Sequence, residues 1–561
     1  MGRSRKKRKK RSGAGVIILG LLAVSVGAGW FIGRNYMPSR EPADQAEYFQ
    51  VQGDQVAMIL NDQMQEEKGI YREGQVYLPV EWVNDHLNRR YYWDSNEQVL
   101  VYALPEEIVY LDQESKGDQG SLLQIEDDTA YLSLELIGTY TDVKQQPYDA
   151  DRIRRVFLDT EQEEAREQAQ VRFGGRVRVK GGIHSPVLTR LGRGDTVTVL
   201  EPMERWSKIR TGDGYIGYIE NFRLGERSTA VWESDFEEPV YTHITSDEKI
   251  RLGFHQITRP EGNQTLAEYG KTAKGMNVIV PTWFNVTGND GTYTSLASRE
   301  YVNRAHEMGL QVWAMVENVS TEESVKNLDT RLLMSVTGTR KKLIKNLMQE
   351  AETYGFDGFN LDFESLKAEA GPHYIQFIRE MSVACRERGL VLSVDNYVPS
   401  AYTAFYDRKE QGTVADYVII MGYDEHFAGG EAGSVASLGY VEEGIKNTLD
   451  EVPKERVING IPFYTRVWTT RDQKTTSKAY GLTAAEKWVR ETGVELEWKD
   501  DLGQYYGTFS DEGGEYQIWH EEERSLALKT DLIRSYDLAG VACWKLGFES
   551  ASVWDIINRV K

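Results

Sequence analysis

The chain has 561 residues, with 66 Lys and Arg against 87 Asp and Glu and a formal charge of −21. That length implies more than one domain. The acidic balance argues against nucleic acid as a partner, because phosphate binding needs clustered Lys and Arg. Two cysteines, Cys385 and Cys543, exclude a disulfide framework and a cysteine metal site, and both read as small core residues.

Residues 1–11 carry eight basic residues and no acid, so the remainder carries −29. Gly13 to Gly33 has no charge and is rich in Val, Ile, Leu and Ala. It is long enough to cross a bilayer, which takes about 20 apolar residues. The basic tail 1–12 is expected to stay cytoplasmic, with 13–33 as a single-pass signal anchor and the rest outside the cell. A cleaved signal peptide is the competing reading. It would have a shorter apolar core and small residues where Trp30 and Phe31 stand.

Residues 34–46, with Pro38 and Pro42, read as a tether. Residues 47–158 read as a small mixed domain. The strand Val76–Val80, a helix over Trp82–Leu87, Arg90–Asp94 and the strand Val99–Tyr102 are weakly repeated at Thr129–Leu134, Thr139–Thr141 and Val156–Leu158. This order resembles the small domain named after the N-terminus of copper amine oxidases, and implies no copper. Residues 159–170 are acidic and Gln-rich, a linker or short exposed helix. Over 171–226, five short alternating runs are separated by turn residues, including the hairpin signal Thr211-Gly212-Asp213-Gly214, and predict a small β-barrel. This segment resembles the bacterial Src-homology-3-like domain, which implies either contact with cell wall or a spacer. Residues 227–246 read as another linker.

From Lys249 onward strands alternate with helices. The strands are predicted at Ile250–Ile257, Asn277–Phe284, Gln311–Val316, the stretch ending in Asp362-Phe363-Glu364, Leu390–Asp395, Tyr417–Met421, Val457–Ile461 and Gly540–Trp544. Helices are predicted from Arg340 to Tyr354 and from Val435 to Leu449, with another carrying Tyr374, Phe377, Ile378, Met381 and Cys385 on its apolar face. The fold class is therefore α/β, a (β/α)8 barrel over 247–561. About sixty residues, Thr465 to Glu523, are too many for a plain loop and predict an inserted subdomain.

The fourth strand organises the rest. Side chains on a strand alternate faces, so Asn360, Asp362 and Glu364 point the same way. Polar groups on one face of an apolar strand are costly unless they pair. Neighbouring carboxyls disfavour each other's ionisation, which keeps one of them acidic near neutral pH.

The spacing Asp357-x-x-Asn360-x-Asp362-x-Glu364 resembles the Asp-x-x-Asp-x-Asp-x-Glu signature of family 18 glycoside hydrolases. Met421-Gly422-Tyr423-Asp424, Tyr464 and Arg466, and Trp544 stand at the ends of the sixth, seventh and eighth strands, where that family carries substrate contacts. The resemblance implies that the substrate's 2-acetamido oxygen is the nucleophile and an oxazolinium ion the intermediate, the exception that general accounts of glycosidases name for this family. It implies that Glu364 is the acid and base, that Asp362 accepts the acetamido N–H, that Tyr423 donates to the acetamido oxygen and that Trp544 forms the floor. The resemblance further implies that Asp357 and Asn360 support the signature, and that Met421, Asp424, Tyr464 and Arg466 bind substrate.

Asn360 is a departure. Many relatives have an Asp there that shares a proton with the middle Asp, whereas an amide cannot take up charge. Together with Tyr423-Asp424-Glu425-His426, the Asn variant resembles the subgroup from spore-forming Gram-positive bacteria that cleaves N-acetylglucosamine linkages in peptidoglycan. Peptidoglycan or another N-acetylglucosamine polymer is the expected partner. A chitinase is the alternative activity, and a catalytically silent carbohydrate-binding wall protein is the alternative class. None of the eight histidines forms a ligand-spaced pair, and no metal or organic cofactor is expected.

Overall fold

The computed structural model describes residue 26 and residues 37–149, 153–161, 165–319, 328–550 and 552–561. The tail 1–12 and, but for residue 26, the predicted anchor 13–33 lie outside the described residues. Among the described residues no helix is long and apolar enough to cross a membrane. The described residues divide into two compact units, those before residue 92 together with those of 111–238, and those of 92–110 together with those from 239 onward.

The first unit holds two seven-stranded sheets. In one, Gln55–Leu60 pairs in parallel with Arg154–Asp159 and antiparallel with Gln63–Arg72. The strands Gln75–Pro79 and Thr129–Ser133 each lead into a seven-residue helix, Val80–His86 and Leu134–Tyr140, so the strand–helix order recurs, but Thr139 and Tyr140 end the second helix and are not the counterpart of the strand Tyr92–Asp94. The second sheet contains the five predicted strands between 175 and 220 and two more, Arg166–Val171 and Leu224–Ala230, which pair with each other. Both fall partly in segments that read as linkers. Strand propensity reflects fit to a pleated, half-buried surface, and Ala169 and Val171 are buried in this sheet's core. The predicted tether is folded from residue 39 onward. Ala43 N–H donates to the Val187 carbonyl, and the helix Gln45–Phe49 buries Phe49.

In the second unit eight strands close a parallel barrel: β1 Ile250–His255, β2 Val278–Pro281, β3 Gln311–Glu317, β4 Gly358–Asp362, β5 Val391–Tyr397, β6 Tyr417–Met421, β7 Val457–Pro462 and β8 Gly540–Trp544. Neighbours pair in chain order, and β8 returns to β1. Phe359, Leu361 and Phe363 are buried in the apolar core that the helices share with the barrel. The insertion is a five-stranded antiparallel sheet with the helix Leu482–Thr492.

Helix α1 spans Thr337–Tyr354 and stops at Gly355, whose φ of 78° is the left-handed turn that glycine adopts without a steric penalty. Its start lies three residues before the predicted Arg340, because its caps come from far away in sequence. The short sheet over residues 92–111, nearly all of it in this unit, brings Asp94 and Glu97 to the Thr337 and Gly338 N–H groups, at 2.6 and 2.8 Å. Helix α2 spans Gly371–Arg386 and buries its predicted face. Helix α3 is Leu438–Leu449 and not Val435–Leu449, since Ser437 is its N-cap and the Glu425 carboxylate takes both Ser437 N–H and O–H.

Arg340 of α1 and Glu380 of α2 form a fully buried ion pair at 2.8 Å, with the Tyr92 ring 4.6 Å from the guanidinium carbon. Removing one member strands the other charge away from water. Glu380→Ala is therefore expected to lower unfolding free energy by about 3–5 kcal/mol, read from guanidinium denaturation of the purified protein.

Candidate active site

The C-terminal mouth of the barrel gathers carboxyl groups from three adjacent strands. The β3–β4 register places Glu317 directly beside Asp362. The β4–β5 register pairs Asn360 with Ser393 and Leu361 with Val394, so Asp395 is the next neighbour of Asp362 on the other side. Strands in register are about 4.8 Å apart with side chains on the same face. One rung of the barrel thus carries three carboxyls, with Glu364 two residues further along.

Every one of them is pushed toward its protonated form. Asp362 is held well above the usual carboxylate range by burial, then by Asp395, Glu364 and Glu317. Burial, with Glu364 nearby, raises Asp395 to about 8 against a hydrogen bond from Asn360. Burial and Glu364 raise Glu317 to about 7, opposed by a hydrogen bond from Asn285. Glu364 is raised by burial and by the charge of Asp424.

Glu364 is held on three sides. Its N–H donates to Asn318 Oδ1 at 2.8 Å, while Asn318 Nδ2 donates to its carbonyl at 2.9 Å. Tyr397 Oη donates to Oε2 at 2.7 Å. The chain then turns sharply at Ser365, a non-glycine residue with φ of 56°, the kind of local strain that accumulates at functional sites. Beside Glu364 lies a cavity of about 790 Å³ whose lining includes Asn318, Thr330, Arg331 and Lys367.

Asp362 Oδ1 is buried with no protein partner, so a donor on the substrate would satisfy it. Asn360 Nδ2 donates to Asp395 Oδ1 at 2.8 Å and to Ser393 Oγ at 3.1 Å. Tyr423 is buried against Gly460, where a Cβ would come within 3.1 Å of the ring. Tyr464 Oη donates to Asp424 Oδ1 at 2.6 Å, with Arg466 3.7 Å from the same oxygen. Met421 ends β6, and Trp544 ends β8 with its ring centroid 5.4 Å from that of Phe254. These residues all belong to the mouth.

Asp357 does not. It precedes β4, accepts from Val312 N–H and pairs with His306, each at 2.8 Å, and so fixes the opposite end of the strand. Glu317, Asp395 and Tyr397 were not singled out in the sequence. The signal for them was present, since each is a polar residue within the last three positions of a barrel strand, the end at which barrel active sites form. Among the described residues no group of three His, Cys, Asp or Glu side chains stands ready to hold a metal ion.

Residues 256–549 match the glycosyl hydrolases family 18. The chain belongs to that family. It is a chitinase-like glycoside hydrolase of family 18, and residues 174–222 match the bacterial SH3 domain. A glycosylase of Bacillus subtilis (strain 168), YvbX, is 26% identical over 294 residues, 51% of this chain and 84% of that protein. The cortical fragment-lytic enzyme of Bacillus anthracis is 26% identical over 254 residues, 43% of this chain and 58% of that protein, so the match spans little more than half of its length. The crystal structure of the spore cortex-lytic enzyme SleL of Bacillus cereus has a TM-score of 0.50 at 20% identity, covering 60% of this chain and 78% of that one, a likeness of fold.

The Tyr397 hydrogen bond favours ionised Glu364. In Tyr397→Phe the Glu364 carboxyl is expected to keep its proton to higher pH. The alkaline limb of the pH–rate profile should move up by about one unit, since a hydrogen bond to a charged group is worth roughly 1.5–3 kcal/mol.

Proposed function

We propose that the protein is a membrane-anchored extracellular hydrolase that cleaves β-1,4 N-acetylglucosamine linkages in peptidoglycan by substrate-assisted, retaining catalysis. The observation that carries this reading is Asp362 beside Glu364, with Asp362 Oδ1 lacking a protein partner. Glu364, raised by burial, gives its proton to the leaving oxygen and then takes one from water. The acetamido oxygen attacks the anomeric carbon, its N–H donates to Asp362, and Tyr423 donates to the acetamido oxygen. Trp544 packs under the distorted sugar. Asp424, held by Tyr464 and Arg466, forms the side toward the inserted sheet.

Peptidoglycan is favoured over chitin by the name of the Bacillus anthracis relative, a cortical fragment-lytic enzyme. The uncharged stretch 13–33, preceded by eight basic residues, supports an anchor with the barrel outside the cell. On this reading the bacterial SH3 segment, 171–226, contacts the wall. The strand–helix order that recurs in residues 47–91 and 111–158 supports a copper-amine-oxidase-N-like module there, although residues 92–110, expected as part of it, belong to the unit that holds the barrel.

Purified peptidoglycan incubated with the protein is expected to release fragments with reducing-end N-acetylglucosamine, seen by mass spectrometry. Glu364→Gln should lower turnover by about a thousandfold, as loss of a general acid does, while the wall is still bound. Release from chitin oligomers alone would replace the substrate by chitin. Binding without release from either would make the barrel a silent carbohydrate-binding module.

A further inference from the structure

An amide at position 360 leaves β4 without a second carboxyl to share a proton with Asp362. Asp362 offsets the positive charge of the oxazolinium ion only as a carboxylate, and ionising a buried carboxyl to solvent is costly. The fold places another carboxyl on the same rung. Asp395 is 3% exposed, next to Asp362 across the β4–β5 register. It is also the charge that weighs most on Asp362. Asn360 and Ser393 stand beside it, and the Asn360 amide holds its Oδ1. That bond leaves Oδ2 to receive a proton.

We propose that Asp395 takes the proton of Asp362 when Asp362 turns to the acetamido group, supplying from β5 the carboxyl that position 360 lacks. The O–H bond of Asp362 breaks and an O–H bond forms on Asp395. No electron is transferred, and the site keeps its charge. Release of the sugar returns the proton. Asp395 acts through Asp362 and is a positioning residue, and the proposal rests on the substrate-assisted reading above. Glu317, the other neighbour of Asp362, is the charge that weighs least on it of the three nearby carboxyls. The other titratable groups facing the pair are Glu364, Tyr374, Tyr406 and Tyr423.

The test is kcat between pH 5 and 9 for purified full-length protein on an N-acetylglucosamine oligomer and on peptidoglycan. In Asp395→Asn, Asp362 must lose its proton to solvent. Because burial holds its carboxyl above the usual range, the loss of turnover relative to wild type is expected to be severalfold larger at pH 5 than at pH 8, whereas the wild type shows no such slope. Asn360→Asp with Asp395→Asn, which moves the carboxyl to β4, should restore the wild-type profile to within about tenfold. A loss in Asp395→Asn that is equal at every pH, or no loss, overturns the proposal. Infrared carboxyl titration of the free protein separates this from failure of the functional reading. Removing a like charge should make the Asp362 acid band disappear at lower pH in Asp395→Asn than in wild type, whether or not either turns over substrate. An unchanged titration overturns the proposal independently.

Discussion

Glu317, Asp362 and Asp395 share one rung of three adjacent parallel strands, and Glu364 stands just beyond them. Buried carboxyls this close cannot all be ionised, so the site holds protons at a pH where free carboxyls have lost them. That constraint holds both Glu364 and Asp362 toward their protonated forms. The donors around the rung sort the protons: Asn285 to Glu317, Asn360 to Asp395, Tyr397 to Glu364.

Holding such a rung together takes a rigid frame. Phe359, Leu361 and Phe363 bury the opposite face of β4 and its exit, while Asp357 ties its start to β3. The helices on either side of the strand-four connection are locked by the buried Arg340–Glu380 pair, and α1 is capped by Asp94 and Glu97. At the other end, the clamp of Asn318 on both backbone groups of Glu364 sets the acid over the cavity.

The barrel was legible because each strand is an apolar run followed by a helical period, and the gathering of Glu364, Asp362 and Tyr423 at one end of it because they stand at strand ends in a recognisable spacing. What stayed hidden depends on pairing between distant segments. Asp395 becomes a neighbour of Asp362 only through the β4–β5 register. The start of α1 depends on caps some 240 residues earlier, at Asp94 and Glu97. The polar run Arg166–Val171 is a strand because Leu224–Ala230 and Thr196–Pro202 pair with it on either side. Asp357 matched the signature, yet about 3.3 Å of rise per residue carries it to the far end of the strand from the acid.

The central claim is that the substrate's own acetamido group, steadied by Asp362, is the nucleophile. It is tested most directly by the anomeric configuration of the first sugar released, followed by proton NMR before mutarotation. The account predicts the β-anomer, with configuration retained, and tight competitive inhibition by a cyclic thiazoline analogue of the oxazolinium ion. Release of the α-anomer would mean direct attack by water and would contradict it.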